Sequence, residues 1–214
     1  MKKIFALLTA AFISLNAAGQ DDMPDFSGFE SDMIKPASNL GVNFCGGITY
    51  DFGFIGENAA LGCTGVVGAN FYNKLRVGGY FNGLLGISDY SSRYYDDLYY
   101  FYGGFGGFVS PKLLSDRKVS INIPVKIGYG FVSLDGISSS GSNSKEIDSK
   151  TVFAVTPGIM MEINFCRFFG MLVGMNLTIT SDAKLYNDYG DEVLDKNGLN
   201  KIMFSIGGIF GKTK

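Results

Sequence analysis

The sequence predicts an all-β protein, an eight-stranded antiparallel up-and-down transmembrane β-barrel. Three observations predict it. Apolar residues alternate with small polar ones at period two along most of the chain, and no segment sustains a helical period. The connections between the alternating stretches are mostly short and long by turns. Apolar residues make up 46% of the chain and charged ones only 18%, with 30 glycines among 214 residues.

Residues 1–19 read as a Sec signal peptide. Lys2 and Lys3 form a positive start, 4–15 is mostly apolar, and Ala17-Ala18-Gly19 supplies small residues for cleavage. The apolar run is too short for a helix that spans a bilayer, which needs about 20 residues. Residues 20–39 carry five acids against one lysine, with Pro24 and Pro36 as breakers, and read as a flexible periplasmic leader. The barrel domain is expected over 40–214.

The first strand is expected at 42–54, where Phe44, Ile48, Phe52 and Phe54 alternate with Cys45, Gly47, Thr49 and Asp51. Weaker alternation at 61–71, 75–87 and 99–109 gives strands two to four. The clearest case is 119–131. Its odd positions run Val119, Ile121, Ile123, Val125, Ile127, Tyr129 and Phe131, and its even positions are Ser120, Asn122, Pro124, Lys126, Gly128 and Gly130. A strand puts these two sets on opposite faces. The same pattern over 153–165, 169–180 and 202–210 completes eight strands, although Met203 and Ile209 blur the last. Pro124 and Pro157 fall inside strands five and six. Proline cannot donate to a ladder and a closed barrel has no free edge, so a bulge or local break is expected there.

The segments 72–74, 110–117 and 166–168 are the tighter connections; 88–98, 134–150 and 181–200 are longer and polar. The first connection, 56–60, is short where a long one is expected. Asn70-Phe71 and Asn164-Phe165 precede similar tight turns, which points to equivalent hairpin ends.

Orientation follows from the polar face. A soluble barrel turns its apolar face inward and covers its exterior with charge. Here the polar face is built of Gly, Ser, Asn and Thr, with Lys126 the one charge on the polar face of 119–131. Small polar residues suit a crowded lumen, and grease outside with polar residues inside is the transmembrane arrangement. Phe54, Phe71, Tyr99, Phe131, Phe165 and Phe169 stand near strand ends, as interfacial girdles require.

On these features, residues 40 to 210 resemble the small eight-stranded outer-membrane β-barrels of Gram-negative bacteria, those of the outer membrane protein A and X type. The resemblance implies residence in the cell outer membrane, contact with its lipid, insertion by the barrel-assembly machinery, and a structural or surface-interaction role through long extracellular loops toward an extracellular partner that the sequence does not identify. In that family an aromatic residue commonly ends the chain, whereas here Phe210 is followed by Gly-Lys-Thr-Lys.

The chain has no histidine. That removes the commonest general base and metal ligand, and enzymes resembling this class rely on histidine. No catalytic residue, cofactor site or metal site is expected. Cys45, Cys63 and Cys166 are an odd set and no complete disulfide framework. Eighteen basic residues against 20 acidic ones give nucleic-acid binding no support. Gly103-Gly104-Phe105-Gly106-Gly107 lies mid-strand without a following Lys-Ser/Thr, so it relieves crowding rather than cradling phosphate.

Five charged residues fall on inward positions: Asp51, Arg76, Lys126, Glu162 and Lys201. They are expected to form a lumenal ion-pair and hydrogen-bond network, with Arg76 and Glu162 near the periplasmic turns and facing each other. Of the tyrosines at 90–102, Tyr99, Tyr100 and Tyr102 are assigned to the outer girdle, and Tyr90, Tyr94 and Tyr95 are candidate loop contacts. The acids of 181–200 are expected to form a solvated face. Two other functions stay open: a porin-like small-solute channel, and a soluble secreted barrel binding an apolar ligand.

Overall fold

The computed structural model describes residues 41–88, 97–113, 118–137, 144–166 and 168–211. The segments expected to be a signal peptide (1–19) and a leader (20–39), and Tyr90, Tyr94 and Tyr95, lie outside the described residues.

Twelve strands and no helix are present among the described residues. They are β1 (Val42–Ile55), β2 (Asn58–Phe71), β3 (Leu75–Ser88), β4 (Asp97–Leu113), β5 (Val119–Asn122), β6 (Val125–Ile137), β7 (Ser144–Asn164), β8 (Phe169–Leu177), β9 (Ile179–Thr180), β10 (Leu185–Tyr186), β11 (Glu192–Leu194) and β12 (Ile202–Gly211). β5 and β6 lie end to end and act as one wall strand, as do β8 and β9, while β10 and β11 form a separate hairpin. Eight wall strands remain. Each pairs antiparallel with its sequence neighbours, and β12 pairs β1 from Cys45↔Gly211 to Phe52↔Phe204. Every wall strand therefore has two partners and the sheet closes on itself, leaving no edge.

The two prolines mark the interruptions in the wall. Pro124 separates β5 from β6. Gly158 donates its N–H to the Pro124 carbonyl at 2.8 Å, so the missing donor of Pro157 falls on the opposite side of β7. On that side lies Thr178, the residue that separates β8 from β9. Each proline thus sits where the ladder is already relaxed.

The alternation sorts outward and inward faces as the composition requires. Ile123, Ile127 and Tyr129 are 37%, 49% and 59% exposed, while Ser120, Asn122 and Lys126 on the other face are buried. The same holds around the ring: Phe44, Ile48, Phe52, Leu61, Phe81, Phe105, Ile159, Met175, Phe204 and Ile206 all face outward. Across the outward positions of 42–54, 59–71, 75–87, 99–113, 119–131, 151–163, 169–179 and 202–210 no residue is charged. In water that surface would be untenable; in hydrocarbon it is the matching surface.

Close strand curvature is carried by glycine at inward crossings. Gly106 faces Gly128 across β4 and β6, and a Cβ on either would lie within 2.2 Å of the opposing strand's carbonyl oxygen. At one end of the barrel, Tyr72 and Asn73 both take positive φ (52° and 56°) as the central residues of the turn that Lys74 N–H closes onto the Phe71 carbonyl between β2 and β3, the geometry that matches strand twist. We call this end, which also holds Lys118, Phe165, Cys166 and Phe168, the turn end, and the opposite one the loop end.

Several boundaries differ from the sequence expectation. β4 runs on to Leu113 through Pro111, so the first four residues of the turn expected at 110–117 are strand instead. The loop expected at 134–150 is largely strand, because β6 reaches Ile137 and β7 begins at Ser144. This hairpin carries Lys145, Glu146, Asp148 and Lys150 beyond the charge-free band. Met203 and Ile209 face inward, which is why they blurred the last strand's pattern.

Candidate functional site

The lumen is filled in layers. At the turn end the Glu162 carboxylate accepts four hydrogen bonds. Arg76 Nη1 donates to Oε2 at 2.6 Å and Nη2 to Oε1 at 3.0 Å, a two-armed pairing; Lys112 Nζ donates to Oε1 at 2.9 Å and Asn122 Nδ2 to Oε2 at 2.8 Å. Lys112 also reaches Asn73 Oδ1 at 3.4 Å, which ties the network to the β2–β3 turn. Glu162 itself is 0% exposed. A carboxylate so deep is tolerable only with paired charge and satisfied lone pairs, and this one has both.

Further along, Asp51 accepts from the hydroxyls of Thr64 and Ser205 and from Thr49 Oγ1 at 3.3 Å. Asn176 Nδ2 donates to Ser205 Oγ at 2.8 Å and extends this second cluster to β8. Lys126 lies between the two clusters. It is 8% exposed and makes no hydrogen bond or ion pair with any described residue.

Of the five inward charges read from the sequence, Arg76 and Glu162 pair directly. Asp51 heads its own cluster and Lys126 stands apart. Lys201 joins neither cluster: it is half-buried just before β12, where its backbone carbonyl accepts from Thr178 N–H. The period-two count had been carried back beyond the first residue of that strand, Ile202. Lys112 was missed because it falls in the connection expected at 110–117, yet its even number on β4 places it on the inward face with Tyr102 and Phe108. The outer-girdle assignment of Tyr100 and Tyr102 is also corrected. Both are buried in the lumen, because their even positions alternate with the outward Tyr99 and Phe101.

The loop end is closed by chain from 181–200. Ala183, Leu185, Val193, Leu194 and Leu199 are buried against Ile55, Leu84, Leu98, Tyr100, Val132, Leu134, Val152 and Met203 of the wall. Burying each leucine or valine contributes about 1.5–3 kcal/mol. Backbone bonds seat the cap: Tyr100 Oη donates to the Val193 carbonyl at 2.9 Å and Gly56 N–H to the Gly198 carbonyl at 2.7 Å. On the outside, Lys150 pairs with Asp182 and Lys184 with Glu192, both at 2.8 Å, and Tyr186 N–H donates to Asp148 Oδ2 at 2.9 Å. The hydrogen bond from Lys150 holds Asp182 below the usual carboxylate range, and that to Glu192 raises Lys184. The segment expected to be a solvated acidic face is therefore two-sided, with acids toward solvent and an apolar plug beneath.

Among the described residues, no group of three or more His, Cys, Asp or Glu side chains is placed to hold a metal ion.

A closed antiparallel sheet, a charge-free apolar exterior and a polar, ion-paired interior define a small transmembrane β-barrel of the outer-membrane kind. The soluble alternative has no place for the outward apolar face. No protein-family model matches the chain, and no curated protein matches it by sequence. Among solved structures, a major outer membrane protein from Thermus thermophilus has the same fold, with a TM-score of 0.51 and 12% identity over 78% of this chain and 99% of that one. Two further barrels are matched at a TM-score of 0.45. One is Ail, the attachment invasion locus protein of Yersinia pestis, solved with the heparin analogue sucrose octasulfate (14% identity, 79% of this chain and 97% of that one). The other is Neisserial surface protein A (10% identity, 81% and 97%).

Proposed function

We propose that this protein is a non-enzymatic outer-membrane barrel that presents a surface at its loop end. In this proposal residues 1–19 direct export, the barrel-assembly machinery inserts the chain, and the loop end faces outward toward an extracellular partner. The observation that carries it is the cap. A loop that served only to connect strands would be solvated, whereas this one buries five apolar residues in the mouth and holds its outer face in place through Asp148, Lys150 and Asp182. Tyr186 and Tyr189 stand exposed on that face, and tyrosine is favoured at interfaces.

The same cap, together with the Glu162 cluster, argues against the channel alternative, since the lumen meets an apolar plug at one end and a paired-charge layer at the other. Planar-bilayer recording of the refolded protein tests this: no steady single-channel current is expected, and a steady current would establish the channel instead. The surface role is tested in cells by the double variant Tyr186→Ser/Tyr189→Ser. Loss of surface adhesion at unchanged barrel level supports the proposal. Unchanged adhesion, with envelope leakage only in a strain lacking the protein, makes the role purely structural.

A further inference from the structure

Between the Glu162 cluster and the Asp51 cluster the lumen holds a cavity of about 60 Å³. Among the described residues, Arg76 and Lys126 are the only charged ones that line it; Asp51 and Glu162 do not. Arg76 spends both Nη groups on Glu162, yet its Nε has no partner among the described residues. Lys126 makes no hydrogen bond or ion pair with a described residue, and the Asp51 carboxylate acts on it through space. Of the buried charged residues described, three are cationic (Arg76, Lys112, Lys126) and two anionic (Asp51, Glu162), so this interior carries one positive charge in excess. An ammonium with no contact partner inside a barrel surrounded by lipid is costly, and the Asp51 carboxylate, which spends its oxygens on three hydroxyls, answers it only across space.

We propose that this chamber binds one small, weakly hydrated monovalent anion, of the halide class, against the Lys126 ammonium. Size and lining set the class. A water requires about 10–15 Å³ of such space, so the chamber takes an ion with a partial hydration shell and no larger polyanion. Phe108, Met160, Leu172 and Ile209 make much of the wall apolar, which favours ions that shed water readily over fluoride or sulfate. Asn122 Oδ1 and Asn176 Oδ1 are acceptors without partners among the described residues, and water retained by the ion supplies donors to them. The anion is captured as the barrel closes, so its binding appears as stability that depends on the salt present during folding.

The test uses the refolded full chain in sodium bromide and in sodium gluconate at equal ionic strength. The urea midpoint is expected to rise with bromide and level off, to respond little to fluoride, and to lose its bromide dependence in Lys126→Met. Crystals grown in bromide are expected to show one anomalous peak beside Lys126 Nζ. A bromide-independent midpoint with no anomalous peak overturns the proposal, as does a structure with Lys126 turned onto Asp51 or with water alone in the chamber. If Lys126→Met does not fold, the wild-type titration and the anomalous map decide between these outcomes.

Discussion

Glu162 holds two cations in a lumen that has no solvent to spare for them. Removing its charge in Glu162→Gln strands Arg76 and Lys112 together, and breaking a buried pair in this way costs about 3–5 kcal/mol. Arg76→Met leaves Lys112 paired with Glu162 and is expected to cost less. Urea unfolding of the refolded variants, followed by the heat-shifted gel band, checks the order: Glu162→Gln below Arg76→Met, and both below wild type. The residues of this site were legible where parity alone decides. Asp51, Arg76, Lys126 and Glu162 each sit on the small-residue face of an alternating strand, and each is buried. Parity failed at the ends of strands. Lys201 was counted into a strand that starts at Ile202, and Lys112 was excluded from one that runs to Leu113. The hydroxyls around Asp51 were not anticipated, because Thr49, Thr64 and Ser205 look like the small polar residues of any lumen until the register brings three strands together.

At the scale of elements, the cap and the crowded crossings behave differently. Leu194→Ala removes a buried side chain from the cap, a change that costs about 2–5 kcal/mol in a packed core. The loss is expected to be local: protease cleavage within 181–200 rises, while the barrel keeps its heat-shifted band. Gly106→Val instead drives a side chain into the β6 backbone and is expected to cost about 1–3 kcal/mol or more, lowering the yield of folded barrel. The exposed pairs of the cap add a pH dependence. Asp182 is depressed, so its contribution is present above the usual carboxylate range and is lost as pH falls through its lowered value. Lys184 is raised, so its contribution holds below the usual lysine range and fades as pH rises through the raised value. Both groups lie at the solvent-facing edge of the cap, and the expected readout is a lower protection factor in acid for the Lys184 amide, which donates to Asp182, rather than a shift in barrel unfolding. The cap was not legible in the sequence. Ala183, Leu185, Val193, Leu194 and Leu199 are scattered among acids and follow neither period two nor a helical period, so nothing local separates them from loop residues. Pro124 and Pro157 were informative for the opposite reason, since a missing donor is a local fact with one structural consequence.

For the whole molecule, the period-two pattern decided nearly everything about the wall. Eight stretches, their alternating connections and a polar face of small residues led to a closed barrel with its apolar side in lipid. Only the extent of β4, β6 and β7 escaped, because strand that continues beyond the membrane carries the same polar residues as a loop. A charge at the outward midpoint is the severe perturbation on this view: Ile123→Arg is expected to cost about 2–4 kcal/mol and to impair insertion into vesicles. The central claim is the orientation of the two faces, and spin labels placed singly at 119 to 131 in proteoliposomes test it most directly. Labels at the odd positions are predicted to collide with lipid-soluble oxygen and those at the even positions to be shielded from it. Oxygen access at the even positions, or shielding of the odd ones, would contradict the account.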